Sequence, residues 1–360
     1  MSAFSSAFST VLRRGAPAAV LALSLALTTS AVAGPGSPNS YAQTNLVSNF
    51  SGVGDPDLIN PWGIAFNPNA VVWVSDNATG VSTLYDGLGN KQGLVVTIPS
   101  ANGTDHGTPT GITFNSSSDF KVGAAGAAFL FATEDGLIAG WNGGTVATRV
   151  FPAAGVTPTA VYKGIAIAGN GTAHFLYAAD FHNKKIDVLD ATFAPVTTTG
   201  GFVDPNIPAE FGPFNIMNIQ GNLYVAYAQK EEDGDDEVAG PGLGFVDVFD
   251  ADGVLLRRLA TRGKLNAPWG MALAPTGFGA FSNALLVGNF GDGTINAYDL
   301  KNGTSMGQLR NESHQVLKID GLWGIAFGNG VRSQPTDVLF FAAGPNDESD
   351  GLYGFIAPAP

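Results

Sequence analysis

Six short stretches carry carboxylates and amides at recurring positions along the chain. They are Asp76 with Asn77, Glu134 with Asp135, Asp180 with His182, Gln229 with the run from Glu231 to Glu237, Asn289 with Asp292, and Asn346 with Asp347. Brought together, oxygens of this kind are what a hard cation such as Ca²⁺ takes, about six to eight at a time. Asp76, Asp180 and Asn289 are the expected metal ligands. Asn77, Glu134, Asp135, Glu231, Glu232, Asp233, Asp292, Asn346 and Asp347 are expected on the ligand- or partner-facing surface. His182 is the candidate general base, able to take a proton from an attacking water. The competing expectation is local: an Asp or Asn at a strand end caps its own turn, and a loop histidine is merely solvated.

These residues share one place in a repeat. A glycine-containing anchor recurs as Pro61-Trp62-Gly63-Ile64-Ala65-Phe66, Gly111-Ile112-Thr113-Phe114, Gly164-Ile165-Ala166-Ile167, Asn215-Ile216-Met217-Asn218, Pro268-Trp269-Gly270-Met271-Ala272-Leu273 and Trp323-Gly324-Ile325-Ala326-Phe327, at intervals of 48 to 55 residues. That period is one propeller blade. Each anchor reads as a first strand, followed by a second, such as Phe175 to Asp180, and a third ending in an apolar residue and a turn, as in Tyr298-Asp299. The expected fold is therefore all-β, a six-bladed β-propeller of four-stranded antiparallel blades. The sixth unit ends after its third strand, so the stretch from Thr44 to Phe50 is expected to pair with that edge and close the ring.

In such a meander the approach to strand one and the link from strand two to strand three lie on the same face. The six polar stretches should thus ring one mouth of the channel. Trp62, Phe214, Trp269 and Trp323 precede the anchors; they could line a sugar-stacking mouth, but equivalent positions in a repeat are expected to pack between adjacent blades. The run Glu231 to Glu237 is an insertion on that face without the EF-hand pattern, since Val238 stands where its glycine would fall. Gly303-Thr304-Ser305-Met306-Gly307 matches a nucleophile-elbow pattern but sits at a strand-three to strand-four turn, without the helix an elbow requires.

Composition agrees with strands. Gly (48) and Pro (21) break helices throughout the 360 residues, only 13% are charged, and 45% are hydrophobic. With no cysteine, neither a disulfide framework nor a thiolate metal site is possible. A formal charge of −13 argues against nucleic acid as a partner. Residues 1–33 hold Arg13 and Arg14, no acid, the apolar run from Ala18 to Leu27 and Ala31-Val32-Ala33, the pattern of a signal peptide cut near Ala33. Its loss takes the charge from −13 to −15. The expected organisation is a signal peptide at 1–33, a flexible linker at 34–43 and the propeller at 44–360, secreted, with no membrane span.

The anchors resemble NHL-type propeller repeats. Over nearly the full mature length, Asn45-Leu46-Val47-Ser48-Asn49, Asn60-Pro61-Trp62-Gly63-Ile64-Ala65, Ser75-Asp76-Asn77 and Ala343-Gly344-Pro345-Asn346-Asp347-Glu348 are similar to an uncharacterised family of secreted bacterial propeller proteins, some with a PEP-CTERM sorting tail. Here the chain stops at Ala357-Pro358-Ala359-Pro360 without that tail. The acidic mouth also resembles, at the level of fold, lactonase and gluconolactonase propellers, whose central metal polarises an ester carbonyl. The expectation is a monomeric, secreted, non-catalytic propeller that binds a small molecule, a saccharide or an envelope protein through its acidic face. The alternative is a calcium-dependent lactonase or esterase.

Overall fold

The computed structural model describes residues 38–50, 54–103 and 106–359; the signal-peptide reading at 1–33 lies outside the described residues. Those residues form a six-bladed β-propeller, with one turn of 3₁₀-helix at Gly279–Phe281. From the axis outward, blade one comprises Pro61–Phe66, Val72–Asp76, Val81–Tyr85 and Val96–Thr97. Blade two comprises Pro109–Phe114, Phe129–Thr133, Ile138–Trp141 and Thr148–Phe151; blade four, Phe211–Ile219, Asn222–Gln229, Phe245–Phe249 and Leu255–Thr261. Blade five comprises Pro268–Leu273, Ala284–Asn289, Ile295–Asp299 and Ser305–Gln308.

Blade six contains Leu322–Phe327, Leu339–Ala343 and Leu352–Pro358, and its outer strand is Tyr41–Ser48 from the other end of the chain. The closing strand begins three residues before the expected Thr44, taking in Tyr41, Ala42 and Gln43 from the stretch expected to be linker. Burial accounts for the extension. The Tyr41 ring is fully buried between Phe278 and Phe281, and its hydroxyl donates to Phe278 O at 3.0 Å.

Blade three is the exception. Tyr162–Gly169, His174–Asp180 and Lys185–Leu189 pair normally, but the outer position is held only by Val196 N–H donating to Val188 O and Asp190 N–H to Ala194 O. Pro195 has no N–H to donate. Beyond it the chain leaves for blade four, where Phe202 N–H donates to Gly253 O and the Phe202 ring packs on Tyr177 and Phe249.

The anchor glycines recur because neighbouring inner strands nearly touch around the axis. A Cβ on Gly270 would lie 2.4 Å from Trp323 O, and one on Gly324 2.5 Å from Trp62 O. In blade four Asn215 replaces the glycine and uses the close approach, donating from Nδ2 to Trp269 O at 2.8 Å. Each inner strand also slips register against its neighbour near its start, as between Pro61 and Ile64 or Pro268 and Met271. Such bulges re-aim side chains.

Candidate functional site

The position before each anchor, at the bulge, is occupied in turn by Trp62, Thr110, Lys163, Phe214, Trp269 and Trp323. The aromatic members were expected between adjacent blades; the structure instead gathers them into one buried cluster with Phe181 and Phe290. Trp62 stacks on Trp323 with centroids 3.5 Å apart, while Trp269 meets both edge-on at 5.9 and 5.6 Å. All three indoles are 3% exposed or less, which removes them as an open sugar-stacking surface. At the bulges of blades one, four, five and six the aromatic side chains gather in this cluster, and in blade three Lys163 reaches the Trp62 face.

Lys163 holds the same position in blade three and is 1% exposed. Its ammonium lies 5.0 Å from the Trp62 ring centre and 2.6 Å from Glu134 Oε1, with Asp236 Oδ1 at 3.7 Å. Burial opposes that charge, but Glu134, Glu237 and Asp236 outweigh it and hold the lysine above its ordinary range. Asn77 Nδ2 donates to Glu134 Oε2 at 2.7 Å, fixing the other carboxylate oxygen. Trp323 Nε1–H is shared between Asn60 Oδ1 and Glu348 Oε1, both at 3.2 Å. Residues from blades one, two, three, four and six thus meet over the aromatic cluster.

Two further carboxyls here are displaced in their titration. Burial pushes Glu237 up to about 7, against the pull of Lys163, with Glu348 and Asp236 adding to the rise. Burial likewise raises Glu348, opposed by its bond to Asn60 and reinforced by Glu134. Glu348 ends a run of three left-handed residues, with φ of 58° at Asn346, 52° at Asp347 and 62° at Glu348. Such backbone costs roughly 1–2 kcal/mol per L-residue and is met where the surroundings over-determine it. Here the turn is held by Glu348 N–H donating to Gly344 O and Asn346 N–H to Asp320 Oδ2.

The expected metal ligands are not drawn to this cluster. Asp76, Asp180 and Asn289 are fully buried, each engaged within its own blade. Asp76 Oδ2 accepts from Thr83 N–H and Oγ1; Asp180 accepts from Val161 and Asn183; Asn289 Nδ2 donates to Lys264 O. These bonds run within single blades, while Asp76 Oδ1 and Asn289 Oδ1 are buried without a hydrogen-bond partner among the described residues. Burial raises the Asp76 and Asp180 carboxyls. Among the described residues no group of three His, Asp or Glu is spaced to hold a metal ion. His182 is half-exposed and bonded through Nδ1 to Asp235 Oδ1 at 2.7 Å.

Of the remaining face residues, Asn77 and Glu134 belong to the cluster. Asp135 Oδ2 accepts from Ala101 N–H, and Asp292 Oδ1 from Thr294. Asn346 Nδ2 donates to Asp350, and Asp347, Glu231, Glu232 and Asp233 face solvent. Sequence reasoning missed Lys163 as a site residue; the signal that could have found it is its place as the one charge in a column otherwise aromatic or neutral. Glu237 and Glu348 were within sight, in the acidic run and in the Gly344-Pro345-Asn346-Asp347-Glu348 phrase.

The opposite end of the channel is different in kind. A cavity of ≈ 250 Å³ opens there between Phe66, Phe114, Ile167 and Met217.

No protein-family model matches the chain. The uncharacterized protein R648 of Acanthamoeba polyphaga mimivirus is 37% identical over 315 residues, covering 84% of this chain and 76% of that protein. Uncharacterized protein L690 of the same virus is 37% identical over 319 residues, covering 84% of this chain and 81% of that protein. Among solved structures, a streptogramin B lyase superposes with a TM-score of 0.53 at 14% identity, covering 89% of this chain and 98% of that one; the likeness is one of fold. With more than a third of aligned residues identical across most of both partners, this chain belongs to the family of the mimivirus proteins R648 and L690.

Proposed function

We propose that the protein is a secreted, non-catalytic propeller whose acidic axial mouth binds a ligand bearing a positively charged nitrogen, either a small molecule or a basic group on an envelope partner. The observation that supports this is the seat of Lys163. Glu134, Asp236, Glu237 and Glu348 set four carboxyls against one ammonium, beside an indole face. Such a place favours a further cation. Secretion is read from the signal-like residues 1–33 and from the resemblance to the secreted bacterial family, with cleavage near Ala33.

Thermal unfolding with spermidine and with its fully N-acetylated form tests the reading, since a ligand of the native state raises its stability. Spermidine should raise the melting temperature, more at pH 8 than at pH 6 as Glu237 ionises, and the neutral form should not. Equal responses to the two, or none to either, would sink it.

One observation favours a second reading, hydrolysis: a carboxyl at about 7 is matched to general acid–base work near neutral pH. The Glu237 carboxylate would then serve as base in place of His182, and calcium bound at Asp76, Asp180 or Asn289 would be an addition to it. A lactone and ester screen, run with EDTA and with Ca²⁺, tests this. Turnover lost in Glu237→Gln supports it, and turnover unchanged in that variant refutes it.

A further inference from the structure

The links from second to third strands on the axial face are anchored in different ways. In blades three and five the residue after strand two is Phe181 or Phe290, and its ring packs in the aromatic cluster. In blade four that residue is Lys230, and from there to Glu237 the loop carries no apolar side chain. Its main-chain bonds close it on itself. Glu231 N–H donates to Asp236 O at 2.9 Å and Val238 N–H to Gln229 O at 2.8 Å, while the Lys230 ammonium donates to Gly234 O. Such a loop can leave its place without opening the core, a local opening that costs far less than unfolding.

Two side chains tie the loop to blade three. Asp235 Oδ1 lies 2.7 Å from His182 Nδ1 and 3.3 Å from Lys230 Nζ, and Asp236 Oδ1 lies 3.7 Å from the Lys163 ammonium. The Lys163 side chain is 1% exposed, whereas those of His182 and Asp235 are 48% and 40% exposed. The lysine is thus sealed, in part by a loop whose own fastenings stand in solvent. Ion pairs so exposed hold weakly, because water screens them and both side chains lose freedom.

We propose that residues 230–238 form a lid on the axial mouth, latched by the Asp235–His182 pair, and that a cationic ligand reaches the Lys163 seat only when this latch is open. The nature of the ligand rests on the function proposed above; the motion does not. An entering cation and blade three compete for the same two carboxylates, Asp235 and Asp236, so the ligand favours the open state.

Two measurements on the full chain separate the lid from its ligand. In the first, reductive methylation of lysines is followed at Lys163 by peptide mass. Asp235→Ala should speed labelling of Lys163 about threefold, the effect of losing one half-exposed ion pair. Asp233→Ala, which removes the same charge from a solvent-facing position of the loop, should leave labelling unchanged. In the second, His182→Cys and Asp235→Cys are made together and joined by a short bismaleimide, a selective reaction because the chain has no other cysteine. The joined form should lose the rise in melting temperature with spermidine, which the unjoined form keeps, and its Lys163 should label more slowly. Lys163 labelling equal in the native chain, Asp235→Ala and the joined form would overturn the lid, as would a spermidine response that survives joining. Labelling that follows the latch while spermidine acts on no form would uphold the lid and sink the cation reading alone.

Discussion

The two ends of the axial channel are built from the same six inner strands and share almost nothing else. At the strand starts the bulge turns Trp62, Lys163, Phe214, Trp269 and Trp323 into the axis, where they stack, exclude solvent and support a layer of charge. At the strand ends the pairing is regular, and Phe66, Phe114, Ile167 and Met217 line an open cavity. Where the repeat is bulged, one substitution in one blade reaches all the others. Where it is regular, each blade answers for itself.

The sharpest way to break this contrast is Trp323→Ala. It removes the centre of the aromatic cluster and should cost about 4 kcal/mol of unfolding free energy in a urea titration. A loss no larger than that of a funnel substitution would mean that the two ends are equally filled. Next comes Lys163→Met, which leaves Glu134 and its neighbours without their counter-charge; removing one partner of a buried pair costs about 3 kcal/mol. The loss should be greatest above neutral pH, where the carboxylates repel, and shrink toward pH 5, as denaturation at several pH values would reveal. In the funnel, Met217 is itself only partly buried, and Met217→Gln should cost about 1 kcal/mol by the same titration.

The smallest effect is a change of slope. A carboxyl whose folded pKa lies above its unfolded value binds more protons in the native state, so stability falls as pH rises between the two. Glu237, at about 7 in the fold against an ordinary 4.5, should therefore make the protein less stable at pH 7.5 than at pH 5. Asp247 is pushed to about 7 by burial despite Arg258 and acts in the same direction. Glu237→Gln should flatten part of that slope, and an unchanged slope would place the proton elsewhere.

What the sequence disclosed and what it withheld follow the same division. The six anchors were legible because close backbone approach demands glycine at Gly270 and Gly324 whatever the side chains do, and the period follows. The closing strand was legible because an unpaired third strand needs a neighbour. In the mouth, Asp76, Asp180 and Asn289 stand at strand ends, where their hydrogen bonds run to their own blade rather than to the Lys163 cluster. Lys163 acquires its role only through a bulge, and a register shift of this kind leaves no mark in alternation of polar and apolar residues. Glu348 depends on three consecutive left-handed residues, a conformation that Asn346 and Asp347 permit but do not announce.

The pairing of Tyr41–Ser48 with Leu352–Pro358 also sets a timetable. The strand that completes blade six is made first, and the strand it pairs with is made last. Contacts across so long a loop form slowly, because the loop must be ordered before they repay it. During synthesis, the early strand must therefore stay available while five blades are laid down. A chain interrupted before Leu352 would display an unpaired edge at both ends, which quality-control proteases and chaperones can recognise. The ring thereby reports its own closure: only a chain that reaches Leu352–Pro358 can hide Tyr41–Ser48.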